Sequence, residues 1–86
     1  MSTRVFRTRR GRITLTDDAL IYDQTRGMAR HERVLRVDIV GVHLITHVHM
    51  FAPVWVEVLV LHHGGTLSIP HVGPRTAKRL QTALGF

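Results

Sequence analysis

The sequence predicts a mainly β fold finished by a single C-terminal helix, and three features carry that prediction. Turn residues recur at short intervals from Arg9 to Gly27, leaving no room for a helix of useful length between them. The segments between the turns alternate polar and apolar residues, the period of a half-buried strand. Only the end of the chain spaces its apolar residues as a helix does, with Ala77, Leu80 and Leu84 at i, i+3 and i+7.

Taken in order, Thr3 to Arg7 reads as a strand, and Arg9, Arg10 and Gly11 as a tight turn. Arg12 to Thr16 follows with Ile13 and Leu15 on one face, then Asp17 and Asp18 turn the chain. Ala19 to Asp23 turns Leu20 and Tyr22 the same way, and Thr25, Arg26 and Gly27 break it. A strand from His31 to about Val37 leads through Asp38 into a long β segment from Ile39 to Met50, with Gly41 as a bend position. Along that segment Val42, Leu44, Val48 and Met50 share one face, and His43, Ile45, His47 and His49 the other. Phe51, Ala52 and Pro53 end it. Val54 to Leu61 is apolar on both faces apart from Glu57, as a central strand is, and Trp55 is expected to anchor the core. His62 to Gly65 make a flexible turn, and Thr66 to Ile69 a short last strand ending at Pro70. In the helix Pro74 suits the first turn and Gly85 a left-handed C-cap followed by a contact from Phe86. So short a helix is marginal alone in water, so its stripe must dock on the sheet.

A chain of 86 residues supports one hydrophobic core, because a domain of this size buries only roughly 60–65% of its unfolded surface. One domain is therefore expected over residues 1–86, with strands over about 3–71 and the helix over about 74–84. There is no cysteine, which removes disulfides, thiolate metal sites and a cysteine nucleophile. The longest apolar run, Val54 to Leu61, contains Glu57 and is far shorter than the roughly 20 residues of a spanning helix. Met1 to Arg12 carries five arginines and nothing resembling a signal peptide. A cytoplasmic protein is expected, peripheral at most at a membrane surface.

Charge is the strongest compositional feature: twelve basic residues oppose six acidic ones, for a net charge of +6. Eleven of the twelve are arginine, the side chain that forks bidentately onto phosphate. A polyanionic partner is one explanation of the excess, and a GC-rich coding bias with a solvated surface is the other.

The order of seven short strands and one amphipathic helix resembles the pleckstrin-homology superfold. Arg12-Ile13-Thr14-Leu15-Thr16-Asp17-Asp18-Ala19-Leu20-Ile21-Tyr22 resembles the early hairpin of bacterial pleckstrin-homology-like domains. Val37-Asp38-Ile39-Val40-Gly41-Val42 resembles the stretch that leads into their second sheet. The likeness implies two near-orthogonal antiparallel sheets with the helix plugging one open corner. It also implies a ligand rim made of the first and third turns together with the turn between the last two strands.

In successive hairpins the first and third turns share one end of a sheet and the second lies at the other. Arg9, Arg10 and Arg12 mark the first turn, and Arg26 and Arg30 the third, whereas Asp17, Asp18 and Asp38 mark the opposite end. With the turn that the resemblance adds, the expected binding rim comprises Arg7, Arg9, Arg10, Arg12, Arg26, Arg30, His62 and His63. In phosphoinositide-binding relatives the strands flanking the first loop are dense in basic residues. Arg7, Arg9, Arg10 and Arg12 imitate that density with arginine in place of lysine. The bland alternative is a solvated set in which Arg26 or Arg30 pairs with Asp23 or Glu32 for little net energy.

His43, His47 and His49 line one side of a strand, a conceivable zinc face, but no carboxylate at a ligand-like spacing supports it, and no metal or other cofactor is expected. Serine-nucleophile, phosphate-loop and GxGxxG patterns are all missing, and Asp17 and Asp18 read as turn residues, so a catalytic role is not expected. The leading function is a binding adaptor whose rim meets phospholipid headgroups or an acidic protein. Nucleic-acid binding is the rival, disfavoured by aromatics that belong to the core or a cap. A structural role through open sheet edges, including homo-oligomerisation, is the third.

Overall fold

The computed structural model describes residues 2–48, 50 and 54–86. Alternation within each strand sets its architecture. In β1 (Arg4–Arg7), β2 (Gly11–Leu15), β3 (Ala19–Gln24) and β4 (Arg30–Leu35), the buried residues Phe6, Ile13, Leu15, Leu20, Tyr22 and Val34 share one face. These strands form a four-stranded antiparallel sheet in chain order, with Ile13 opposite Tyr22 and Leu15 opposite Leu20. A 3-10 turn over Arg36–Asp38 leads into a second, three-stranded sheet of β5 (Ile39–His47), β6 (Trp55–His62) and β7 (Gly65–Val72), with β6 in the middle. The inner face of this sheet carries Val56, Val58, Val60, Leu67, Ile69 and Val72. The predicted mainly β fold with one C-terminal helix is what forms: two antiparallel sheets share one core.

Helix α1 (Pro74–Ala83) starts with Pro74 in its first turn and buries Ala77 and Leu80 in that core, with Leu84 packed at its margin. Its end is a Schellman motif: the Phe86 amide donates to the Gln81 carbonyl and the Gly85 amide to Thr82, with Gly85 in the left-handed region at φ 85°. Phe86 itself stays 53% exposed. Arg36 fastens the helix end to the first sheet, donating to the carbonyls of Thr16 (3.1 Å) and Ala83 (3.2 Å). A cation there also meets the negative end of the helix dipole.

Three strand ends differ from the sequence expectation by two residues or more. The strand expected to run to Val37 stops at Leu35, because the 3-10 turn redirects the chain between sheets. The long segment expected to reach Met50 leaves the sheet after His47, and Val48 and Met50 are exposed; His49 and Phe51 to Pro53 lie outside the described residues. At Gly41 the expected bend takes the form of a register shift between Ile39 and Gly41. The last strand passes through Pro70 to Val72 instead of ending there. Pro70 is tolerated because β7 is an edge strand and because a bulge falls at this point: Val58 pairs with Ile69 and Val56 with Val72, so Pro70 and His71 together face Glu57.

Leu80 has no solvent exposure, so Leu80→Ala should destabilise the domain by about 2–5 kcal/mol. Chemical denaturation monitored by far-ultraviolet circular dichroism checks this, and an unchanged midpoint would show that the helix does not dock.

Candidate anion-binding rim

Two turns built on the same local chemistry face opposite ends of the first sheet. In the β1–β2 turn the Thr8 hydroxyl accepts from the amides of Arg10 (3.2 Å) and Gly11 (3.0 Å). In the β2–β3 turn the Thr16 hydroxyl accepts from Asp18 (3.3 Å) and Ala19 (3.0 Å). The first turn presents Arg9 and Arg10, the second Asp17 and Asp18, so charge of opposite sign is mounted on equivalent frames. The β3–β4 turn then closes on the β1–β2 turn, since the amides of Thr25 (2.8 Å) and Arg26 (3.0 Å) both donate to the Arg10 carbonyl. Buried Gln24 fixes that turn from inside: it accepts from the Tyr22 hydroxyl at 2.8 Å and donates to the Met28 carbonyl at 2.8 Å. Burial raises the Tyr22 pKa above 10.0 and keeps this hydroxyl a donor.

The result is an open basin of about 740 Å³ lined by Arg7, Thr8, Arg9, Arg10, Gly11, Arg12, Thr25, Arg26 and Trp55. Its lining contains five of the eight expected rim residues and no carboxylate. None of these five arginines makes an ion pair among the described residues. Comparison with family models, curated proteins and solved structures finds no match.

Trp55 is the residue that the sequence misplaced. With Val56, Val58 and Val60 turned inward, period 2 sends Trp55 and Glu57 to the outer face, where Trp55 is only partly buried. The Arg9 guanidinium lies 5.6 Å from its ring centroid, cation–π range. His71, at φ 56° in the bulge, approaches its ring at 6.1 Å, and the His71 carbonyl accepts from the Arg9 amide at 3.2 Å. The signal that could have placed it is Glu57, which lies two residues from Trp55 and so shares its face, marking that face as the outer one.

Three other rim residues stand elsewhere. Arg30 is committed to the fold: it pairs with Glu32, donates to the Ser68 carbonyl at 3.2 Å and lies 5.4 Å from the Tyr22 ring centroid. His62 and His63 lie at the other end of the molecule. The His63 amide donates to the Asp38 carbonyl at 3.1 Å, and its imidazole is 3.8 Å from the Asp38 carboxylate. The β6–β7 turn closes beside the start of β5, so hairpin geometry places it at the acidic end, against the position that the resemblance implied.

On the outer face, a cleft of about 260 Å³ adjoins the basin, lined by His47, Trp55, Glu57, Pro70 and His71. Glu57 accepts from the Ser68 hydroxyl at 2.5 Å, and its other oxygen is 3.5 Å from His47 Nε2. His47 thus has the carboxylate neighbour that sequence spacing did not reveal, brought to it across the β5–β6 pair. Serine, carboxylate and imidazole occur here in the wrong order for a hydrolase: the imidazole must stand between the other two to take the hydroxyl proton. Among the described residues no three His, Cys, Asp or Glu side chains gather closely enough to hold a metal ion.

Gly11 lets these elements converge. A Cβ on it would lie 1.9 Å from the Asp23 carbonyl oxygen and 2.8 Å from the Gln24 Cα. Gly11→Ala should therefore force β2 from β3 and destabilise the domain by at least about 1–3 kcal/mol, with the amide resonances of Arg10, Thr25 and Arg26 shifted most. A stable variant with those resonances unmoved would show that the approach is not tight.

Burial, followed by the charges of Arg10, Arg9 and His47, holds the His71 pKa below its ordinary 6.5. The unfolded chain therefore binds this proton more readily than the folded one. The corresponding stability is fully present above 6.5 and is lost as pH falls through the folded value. Glu57, lowered from 4.5 mainly by the Ser68 hydrogen bond, adds a loss of the same sign further into acid. His71→Asn, which tolerates the left-handed backbone, should flatten the curve of unfolding midpoint against pH just below 6.5 and leave the more acidic limb. An unaltered curve would assign that loss to other groups.

Proposed function

We propose that this chain is a pleckstrin-homology-like binding module with no catalysis of its own, and that its arginine basin takes the anionic groups of a partner, phospholipid headgroups or an acidic protein surface. What supports this best is five arginines converging on one concave surface without a carboxylate in its lining. Four of the six acidic residues find neighbours outside the basin: Glu32 pairs with Arg30, and Asp23, Glu57 and Asp38 lie beside the imidazoles of His31, His47 and His63. The order of four strands, three strands and a C-terminal helix supports the pleckstrin-homology-like arrangement with near-orthogonal sheets and the helix at their open corner. Among the described residues no helix is long and apolar enough to cross a membrane, so attachment through this basin would be peripheral.

Nucleic-acid binding gains support from Trp55, an accessible ring beside phosphate-binding side chains. It is favoured less, because tracking a single strand uses successive stacking platforms, and Phe6 and Tyr22 are buried.

Replacing Arg9, Arg10 and Arg12 together by glutamate should weaken binding to phosphatidylglycerol-containing vesicles by more than about a hundredfold, at roughly 1 kcal/mol per cation near such a surface. Arg75→Glu/Arg79→Glu on the helix should cost far less. Co-sedimentation at fixed salt, alongside a single-stranded oligodeoxythymidine, makes the comparison. Equal losses from both sets would mean diffuse attraction by net charge and overturn the basin.

A further inference from the structure

The outward faces of the two sheets differ in kind. On the first, Arg7, Arg12, Asp23 and Arg33 point outward, the charged face that an antiparallel sheet shows to water. On the second, period 2 turns His43, Ile45 and His47 of β5 outward beside Trp55, Glu57, Leu59 and Leu61 of β6. Ile45 is 36% and Leu61 38% exposed. No lysine or arginine occurs between residues 37 and 73, so none of the twelve basic side chains belongs to this sheet. An outer face that is apolar in its middle and polar at its border marks an interaction surface.

The middle of that face points to its occupant. Register sets His43 opposite Leu59 and Ile45 opposite Glu57. These four side chains form a rectangle with its polar groups at the ends of one diagonal and its apolar groups at the ends of the other. A two-fold axis laid along the apolar diagonal returns Ile45 to Ile45 and Leu59 to Leu59. The same axis carries His43 close to the place of Glu57, and Glu57 close to that of His43. The patch is its own complement, as an isologous contact requires.

We infer that the chain pairs with a second copy of itself through this outer face of β5 and β6. Ile45 and Leu59 meet their counterparts at the centre, and His43 of each copy donates to Glu57 of the other. His43 has no ion-pair partner among the described residues. Glu57 accepts from Ser68 and neighbours His47, yet its two oxygens have acceptor capacity to spare. Charge favours the same contact: chains of net charge +6 repel one another, least where the two meeting faces carry no lysine or arginine. Arg9 approaches this face only at its margin, over the Trp55 ring. Face-to-face packing of this kind is distinct from strand addition along the open edges, and it stands independently of what the arginine basin binds.

A three-stranded face is small beside the roughly 800 Å² per partner of a standard interface, so sedimentation equilibrium of the full chain should span about 10–500 µM at about pH 7.5 and fixed salt. The expected result is a mass that rises with concentration and levels at two chains. Ile45→Lys should weaken association by more than about tenfold without moving the unfolding midpoint, since Ile45 points away from the core. Val5→Lys makes the same charge change on the outer face of the first sheet and should associate as wild type does. His43→Glu and Glu57→Lys should each weaken association, and an equimolar mixture of the two variants should regain it. In the mixed pair the two substituted positions face each other, and so do the two native ones. A mass that stays at one chain throughout, or climbs past two, overturns the pairing. Association that survives Ile45→Lys, or falls equally with Val5→Lys, overturns this face as its site, and folded variants that fail to recover on mixing overturn the two-fold arrangement.

Discussion

A carbonyl oxygen occupies the place where residue 11 would carry its Cβ, and the arginine end depends on that close approach. The Asp23 oxygen lies 1.9 Å from the position a Cβ would take, closer than any side chain permits. Because Gly11 has none, β2 and β3 stay paired to the Gly11–Gln24 rung. The Arg10 carbonyl then lies within reach of the Thr25 and Arg26 amides, and the two basic turns become one surface. Gln24, bonded at both ends of its amide, resists any shift of the second turn relative to the sheet. Among the described residues no buried side-chain polar atom lacks a partner, so this network adds rigidity without an unpaired group to offset it.

Bringing cations together is unfavourable unless the gaps between them are wet or filled by a ring. Here the basin is open to water, and the Arg9 guanidinium rests over the Trp55 ring. The outward turn of Trp55 is thus coupled to the first hairpin, although they belong to different sheets. The bulge at Pro70 and His71 makes the same coupling from the other side, since it carries the His71 carbonyl to the Arg9 amide. Repulsion among the arginines is tolerated because three elements hold the backbone that bears them.

Much of this arrangement was legible in the sequence because local rules governed it. Period-2 alternation named Ile13, Leu15, Leu20 and Tyr22 as core residues, and all four are buried. Hairpin parity put Arg9 and Arg26 at one end and Asp17 and Asp18 at the other, and the helix stripe with its glycine cap followed from spacing. Trp55 was assigned to the core for its size, although Glu57 two residues on marks its face of β6 as the outer one. What else failed was set by tertiary context. His62 and His63 joined the expected rim through the resemblance alone, and the pairing of β6 with β5 instead carries their turn to Asp38. Pro70 reads as a strand end unless the strand is known to be an edge with a bulge. Arg30 and Arg26 look alike in sequence, yet Arg30 alone finds the Ser68 carbonyl of the other sheet within reach.

The two threonine turns show how little the backbone itself constrains function here. Thr-Arg-Arg-Gly and Thr-Asp-Asp-Ala close with the same hydroxyl-to-amide bonds, so exchanging the charged pairs would leave the frames intact and reverse the polarity of the sheet. The polarity therefore resides in side chains that contribute nothing to closing their own turns. Four carboxylates are within reach of a histidine or arginine, whereas the basin arginines have no ion-pair partner among the described residues. The positive end consequently keeps its field, and of the carboxylates only Glu32 is compensated by a permanently charged partner, Arg30. In an external field such a molecule turns its arginine end toward negative charge before any contact forms, over a range of about 8 Å at physiological ionic strength.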